Sequence, residues 1–129
     1  MERRALTLDL VAGSYAVCRL GPAEPVPAWA GGGPFVSITR TDVELSVVCP
    51  QAAVPAAALA ERGFRCLRVA GPLGFGMTGV LASLSGPLAS SGVSIFVVST
   101  YDTDYLMVQE RDLERAVDAL TRAGHCVSG

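Results

Sequence analysis

The sequence has little of what most enzymes and nucleic-acid-binding proteins depend on. Its 129 residues include one histidine, His125, and four cysteines, none of them in a C-x-x-C pair. A zinc site needs closer ligand spacing and more histidine than this, so neither a metal nor another cofactor is expected. There is no G-x-S-x-G elbow and no nucleophile–base pair, so no catalytic residues and no enzymatic activity are expected. Asp102 and Asp104 could form an acid–base couple, but two carboxylates alone make a thin case. Aromatic residues are 6% of the chain, net charge is −2 and no basic stripe occurs, which argues against nucleic acid as a partner. No segment approaches the roughly 18–20 apolar residues that span a bilayer. The opening MERRALTLDLVAG has an arginine pair but no long apolar run and no clear cleavage site. The chain therefore reads as soluble and cytoplasmic, with no membrane partner. Cys18, Cys49, Cys66 and Cys126 have apolar neighbours and read as reduced, buried thiols. His125, just past a helix, reads as a surface or capping residue.

What is present is apolar surface. Hydrophobic residues make up 50% and charged residues 17%, enough for one compact domain or two very small ones sharing a core. In the C-terminal half, Phe64 to Ala70 reads as a strand and leads into the glycine-rich turn GPLGFGMTG. From Thr78 to Ser91, the residues Val80, Leu81, Leu84 and Leu88 share one helical face. Thr78 is a candidate N-cap, Gly92 fits the C′ position, and Pro87 should kink or shorten the helix. Val93 to Val98 is apolar on both faces, as in a central strand. Tyr105 to Gln109 follows as a strand, and Asp112 to Ala123 as an amphipathic helix with Leu113, Val117 and Leu120 inward. Gly124 ends that helix, and His125 to Val127 is a last short strand. The order β-α-β-β-α-β is that of a ferredoxin-like split βαβ unit.

The N-terminal half is more compressed. Leu6 to Val11, Tyr15 to Leu20, Phe35 to Thr39 and Val43 to Val48 read as strands. GPAEPVPAWAGGGP leaves room for one helical turn around Trp29, and CPQAAVPAAALAERG for a short helix after Pro55. This half reads as a degenerate copy of the same unit with shortened helices, although direct self-alignment is weak.

The segment SIFVVSTYDTDYLMV places six polar or amphipathic residues, Ser99 to Asp104, between two apolar runs. A minimal hairpin needs fewer and uses Gly or Asn. One reading is a solvated turn closed by Asx and Ser/Thr hydrogen bonds. The other is the wall of a ligand pocket. There the hydroxyls of Thr100 and Thr103 and the carboxylates of Asp102 and Asp104 would hold a cation. The amides of the glycine turn, at a helix N-terminus, would hold a carboxylate. A second polar cluster, Ser37, Thr39, Arg40 and Thr41, reads better as a hairpin into Asp42.

The stretch from GPLGFGMTG through STYDTDYLMV to the last helix resembles the ACT-domain family, in particular small tandem-ACT proteins and the CASTOR-type cytosolic arginine sensors. YAVCRL, FVSITRT and ELSVVCP resemble the small bacterial members. The resemblance implies an α+β fold of two ferredoxin-like ACT units (βαββαβ), antiparallel sheets packed by helices, over residues 1–60 and 61–129. It implies a regulatory protein that binds a free amino acid or similar small ligand and acts as a homodimer. Gly76, Met77, Thr78 and Gly79 then match the loop that meets the ligand's amino-acid end. Thr100, Tyr101, Asp102 and Thr103 line the pocket, and Asp104 matches the acid that meets a cationic end. Positions 74 to 79 read GFGMTG, without the acid that the sensors carry there, so arginine and a neutral amino acid both stay open as ligands. The alternative is a ligand-free protein–protein interaction module whose pocket is filled by Tyr101 and Met77.

Overall fold

Alternating apolar residues and helical spacing give the chain an α+β architecture. A computed structural model describes residues 5–71, 73 and 78–129. The strands are β1 (Thr7–Leu20), β2 (Ser37–Arg40), β3 (Leu45–Pro50), β4 (Ala60–Val69), β5 (Phe96–Ser99), β6 (Asp104–Gln109) and β7 (Cys126–Ser128). The helices are α1 (Val80–Ser90) and α2 (Leu113–Arg122). The residues fall into two compact units: Met1–Val11 with Arg65–Gly129, and Ala12–Phe64.

In the first unit the elements run β4-α1-β5-β6-α2-β7, the βαββαβ order expected from the spacing. Its strands lie in the order β7-β1-β4-β6-β5. The start of β1 pairs in parallel with β7, Thr7 opposite Cys126 and Asp9 opposite Ser128. This unit is therefore discontinuous in sequence. Leu8, Leu67, Val69, Leu106 and Val108 from the strands pack with Val80, Leu84, Leu88, Ala116 and Leu120 from the helices. Burial of this kind is worth about 1.5–3 kcal/mol for each large side chain. Leu81, expected inward, is exposed instead. Strand β5 is not central, as its apolar run suggested, but terminal in the strand order. Ile95 and Val97 pack on the core while Phe96 stays 37% exposed. A β-branched run reports strand propensity, and it does not report how many neighbours the strand has.

In the second unit the order is β2-β3-β1-β4. Ala16 and Cys18 pack with Leu45, Val47 and Cys49, closed over by Ala30 and Val54. Where the first unit has helices, this one has 3₁₀ turns, Ala28–Ala30 around Trp29 and Gln51–Ala53. The helix expected after Pro55 is a turn, with the Ala58 N–H donating to the Pro55 carbonyl at 3.1 Å. The few residues between Pro55 and the start of β4 cannot repay helix nucleation. The polar cluster at Ser37–Thr41 is the hairpin into Asp42: Thr41 Oγ1 accepts the N–H groups of Val43 and Glu44.

The two N-terminal strands expected either side of Ala12–Ser14 are one strand, β1. Gly13 carries it through at φ 93°, and Gly63 does the same in β4 at φ 85°. Only glycine takes these values without strain. Both glycines stand next to the boundary between the units.

Helix α1 contains Pro87 and yet runs unbroken to Ser90. A proline in a helix cannot donate to the carbonyl four residues earlier, here that of Ser83. His125 supplies the missing donor. Its Nε2 lies 3.0 Å from the Ser83 oxygen, while its Nδ1 accepts the Leu6 N–H at 3.1 Å. This pair of bonds assigns the neutral Nε2–H tautomer. The ring is 6% exposed, so the expectation of a surface residue is corrected.

Leaving a buried donor or acceptor unsatisfied costs about 1–3 kcal/mol. His125→Ala orphans two such groups and should cost about 2–4 kcal/mol in urea denaturation. Pro87→Ala restores an N–H that can serve Ser83, so the same His125→Ala change should cost at least about 1 kcal/mol less in that background. Equal losses in both backgrounds would show that the two residues do not share the carbonyl.

Candidate functional site

The run from Ser99 to Asp104 is a tight reversal between β5 and β6. Ser99 and Asp104 are opposite each other in the ladder. Inside that pair the Thr100 N–H donates to the Thr103 carbonyl at 2.8 Å, and the Thr103 N–H donates to Thr100 Oγ1 at 3.3 Å. Ser99 Oγ donates to Asp104 Oδ1 at 2.6 Å. Only Tyr101 and Asp102 form the tip, and Tyr101 is 79% exposed. The polar run is thus shorter as a loop than its composition suggests, because Ser and Thr hydroxyls do the work usually left to Gly and Asn.

The turn is anchored to the end of β4. Thr103 is buried, and its Oγ1 donates to the Val69 carbonyl at 2.6 Å. The Leu73 N–H donates to the Asp102 carbonyl at 2.6 Å. Gly71 passes so close that a Cβ there would stand 3.2 Å from the Asp102 oxygen and 3.3 Å from the Thr103 Cβ. The beginning of the glycine-rich segment and the polar hairpin therefore meet. Gly76 and Met77 lie outside the described residues. Thr78 and Gly79 are exposed. Gly79, not Thr78, is the N-cap of α1, with φ 77° and no side-chain capping bond.

Where hairpin and strand end meet, an open cleft of about 430 Å³ is lined by Asp9, Arg68, the backbone run Val69–Gly71, Asp102, Thr103 and Tyr105. Three of these side chains were not singled out from sequence. Leu8, Val69 and Leu106 point into the helix-packed core, so strand alternation turns Asp9, Arg68 and Tyr105 to the opposite face. They stand on three neighbouring strands, β1, β4 and β6. Arg68 Nη2 lies 3.2 Å from Asp9 Oδ2. The hydrogen bond to Asp9 holds the guanidinium pKa above its ordinary value, against desolvation, which lowers it. A single charge inside LDLVA or CLRVA marks the open face of a strand, but pairing residue 9 with residue 68 requires the strand order.

Nucleophilic chemistry has little support. Cys18, Cys49 and Cys66 are buried free thiols, and Cys126 is exposed. Desolvation pushes the Cys49 thiol up to about 11 and the Cys66 thiol up to about 12, and it raises Cys18 as well. These groups stay protonated at neutral pH, and the thiolate is the reactive form. Among the described residues no group of three or more His, Cys, Asp or Glu is placed to hold a metal. No helix there is long and apolar enough to cross a membrane.

Comparison with known proteins places these features in a family. Residues 59–122 match the family model described as the ACT domain, and residues 13–57 match a second model, described as an N-terminal domain. The subunit 1 proteins described as cytosolic arginine sensors for mTORC1 are similar over 60 residues, at 38% identity in Rattus norvegicus and 35% in Homo sapiens. That stretch is 46% of this chain and 18% of either relative, so the chain matches under a fifth of their length. The X-ray structure of a protein from Agrobacterium tumefaciens is 44% identical, with a TM-score of 0.93 over 98% of this chain and 96% of that one. The regulatory subunit of aspartate kinase from Thermus thermophilus shares the fold, with a TM-score of 0.59 at 14% identity over 90% of this chain and 96% of that one.

Two measurements follow from the geometry. Thr103→Val removes the hydroxyl that satisfies Val69 and should cost about 1–2 kcal/mol of unfolding free energy, whereas Asp104→Asn on the exposed hairpin should cost under about 0.5 kcal/mol. The reverse ranking would show that Asp104, not Thr103, anchors the turn. The buried thiols also set an alkaline limit. Their pKa values are raised on folding, so their contribution is complete below the unfolded value of 9.0 and is lost as pH rises toward about 11–12. Urea midpoints should fall over that window, and less steeply in Cys66→Ala.

Proposed function

The chain belongs to the ACT-domain family, and from that premise we propose that it is a non-catalytic regulatory protein that binds a free amino acid. In this reading the two compact units are a tandem of ACT-like units, the one without α-helices being the degenerate member. The protein works in the cytoplasm as a homodimer, which rebuilds the larger number of units found in longer members. The ligand shifts the geometry of that dimer or its affinity for a partner, by its differential binding to the two states.

The observation that carries this reading is the meeting of the glycine-rich segment with the hairpin, through the Leu73 N–H to Asp102 carbonyl bond of 2.6 Å. It sets Gly71 and Leu73, at the start of that segment, beside a cluster of hydroxyls and carboxylates. The ligand would sit among Gly76, Met77, Thr78, Gly79, Thr100, Tyr101, Asp102, Thr103 and Asp104. The first turn of α1, which its N-cap Gly79 leaves without a side-chain cap, supports a carboxylate at that end. The arginine sensors, similar over part of the chain, support an amino acid as the ligand class.

A second reading has its own support. Thr100, Thr103 and Asp104 already spend hydrogen-bonding groups inside the hairpin. A ligand-free interaction module would look the same, with the hairpin serving structure alone.

A thermal-shift screen of the whole protein against the twenty amino acids separates the two. A ligand at 100 times its dissociation constant adds about 2.7 kcal/mol, a shift of several degrees for a chain of this size. One or a few amino acids should raise the midpoint, and sedimentation should report a dimer. No shift with any amino acid would favour the interaction module.

A further inference from the structure

The cleft on the open face holds a matched pair of charges at its side. Arg68 and Asp9 are both part-exposed and 3.2 Å apart, on adjacent strands. Surface ion pairs of this kind add little to the fold, so opening it costs little. A free α-amino acid carries the complementary pair, one carboxylate and one ammonium. Inserted beside the side chains, it exchanges one ion pair for two. The guanidinium is suited to a carboxylate because its planar fork donates two parallel N–H bonds.

We propose that Arg68 and Asp9 form a zwitterion clamp that reads the carboxylate and the ammonium of the amino acid bound in this cleft. The inference rests on the amino-acid reading above, but it moves the ligand's carboxylate from the first turn of α1 to Arg68, in the cleft on the open face. The clamp lies beside Asp102 and Thr103, which line the same cleft, so the ligand's side chain extends along Val69–Gly71 toward the hairpin. A volume of about 430 Å³ suits a single amino acid. Tyr105, also lining the cleft, borders Arg68 and helps hold it protonated. The charged side chains of the lining are Asp9, Asp102 and Arg68, one positive against two negative. That surplus repels a second carboxylate. The ligand class is thus an α-amino acid without an acidic side chain.

The test uses the whole protein and calorimetric titration with each of the twenty amino acids. Each binder is then compared with its primary amide, which lacks the carboxylate charge, and with its N-acetyl form, which lacks the ammonium. For wild type, both derivatives should bind at least about tenfold more weakly than the free amino acid, the equivalent of one lost charge-assisted hydrogen bond. L-aspartate and L-glutamate should not bind. Arg68→Gln should weaken the free amino acid at least about tenfold and erase its advantage over the amide. Asp9→Asn should erase its advantage over the N-acetyl form. If an amino acid binds but the derivatives bind equally well, the clamp is wrong while amino-acid binding stands. The same holds if both variants match wild type. If no amino acid binds wild type, both readings fall. On wild type the derivatives can overturn the clamp but not assign it to these residues, so Arg68→Lys, which keeps the charge and loses the fork, stands in if Arg68→Gln fails to fold and should still bind the free amino acid more weakly than wild type.

Discussion

The first unit depends on one imidazole. Pro87 takes an N–H out of α1 and leaves the Ser83 carbonyl without its helical donor, and His125 fills that place from the far end of the chain. The same ring accepts the Leu6 N–H at the entrance to β1, while the His125 N–H donates to Leu120 at the end of α2. A helix and an incoming strand are thus referred to one side chain, and the end of a second helix to the backbone of the same residue. Buried polar atoms are tolerated only when paired, and here each ring nitrogen has its partner. The helix that follows the glycine-rich segment is held in place by this arrangement.

The cleft is a product of strand alternation. The helices cover one face of the β1, β4 and β6 segments and take Leu8, Val69 and Leu106 into their core. The residues next to these must face the other way, and Asp9, Arg68 and Tyr105 are those residues. The hairpin adds a wall because Thr103 is pinned to Val69 and Asp102 to Leu73. Asp9, Arg68 and Tyr105, turned away from the core, end up around one concavity, while the Thr103 hydroxyl beside them is consumed in anchoring the turn.

Much of this was legible in the residues. Helical spacing in Val80, Leu84 and Leu88, and alternation around Leu106 and Val108, fixed the βαββαβ order of the second half, because burial obeys those periods. The one-turn helix at Trp29 followed from its flanking Pro and Gly residues. Other features were hidden by long-range effects. Ala12–Ser14 looked like a break, yet Gly13 lets the strand continue. Pro87 looked like a kink, yet His125, 42 positions along the chain from the Ser83 carbonyl, compensates it. His125 looked exposed because nothing local reveals a partner at Leu6. At the site, Thr100 to Asp104 were visible as a cluster, whereas Asp9 and Arg68 are 59 residues apart and became neighbours only through the strand order.

The parallel pairing of Thr7 with Cys126 carries a consequence for how the protein is made. During synthesis β1 emerges long before the strand that pairs with it on one side. Contacts of such long separation close late and slow folding, because the entropy of loop closure is paid before the contact rewards it. Ala12–Phe64 has its own core and can form while the rest is still in the ribosome. The leading strand must then wait, with Leu6 and Leu8 uncovered, until α1, α2 and β7 arrive. That interval closes only once β7 and the His125 ring are available to meet Thr7 and Leu6.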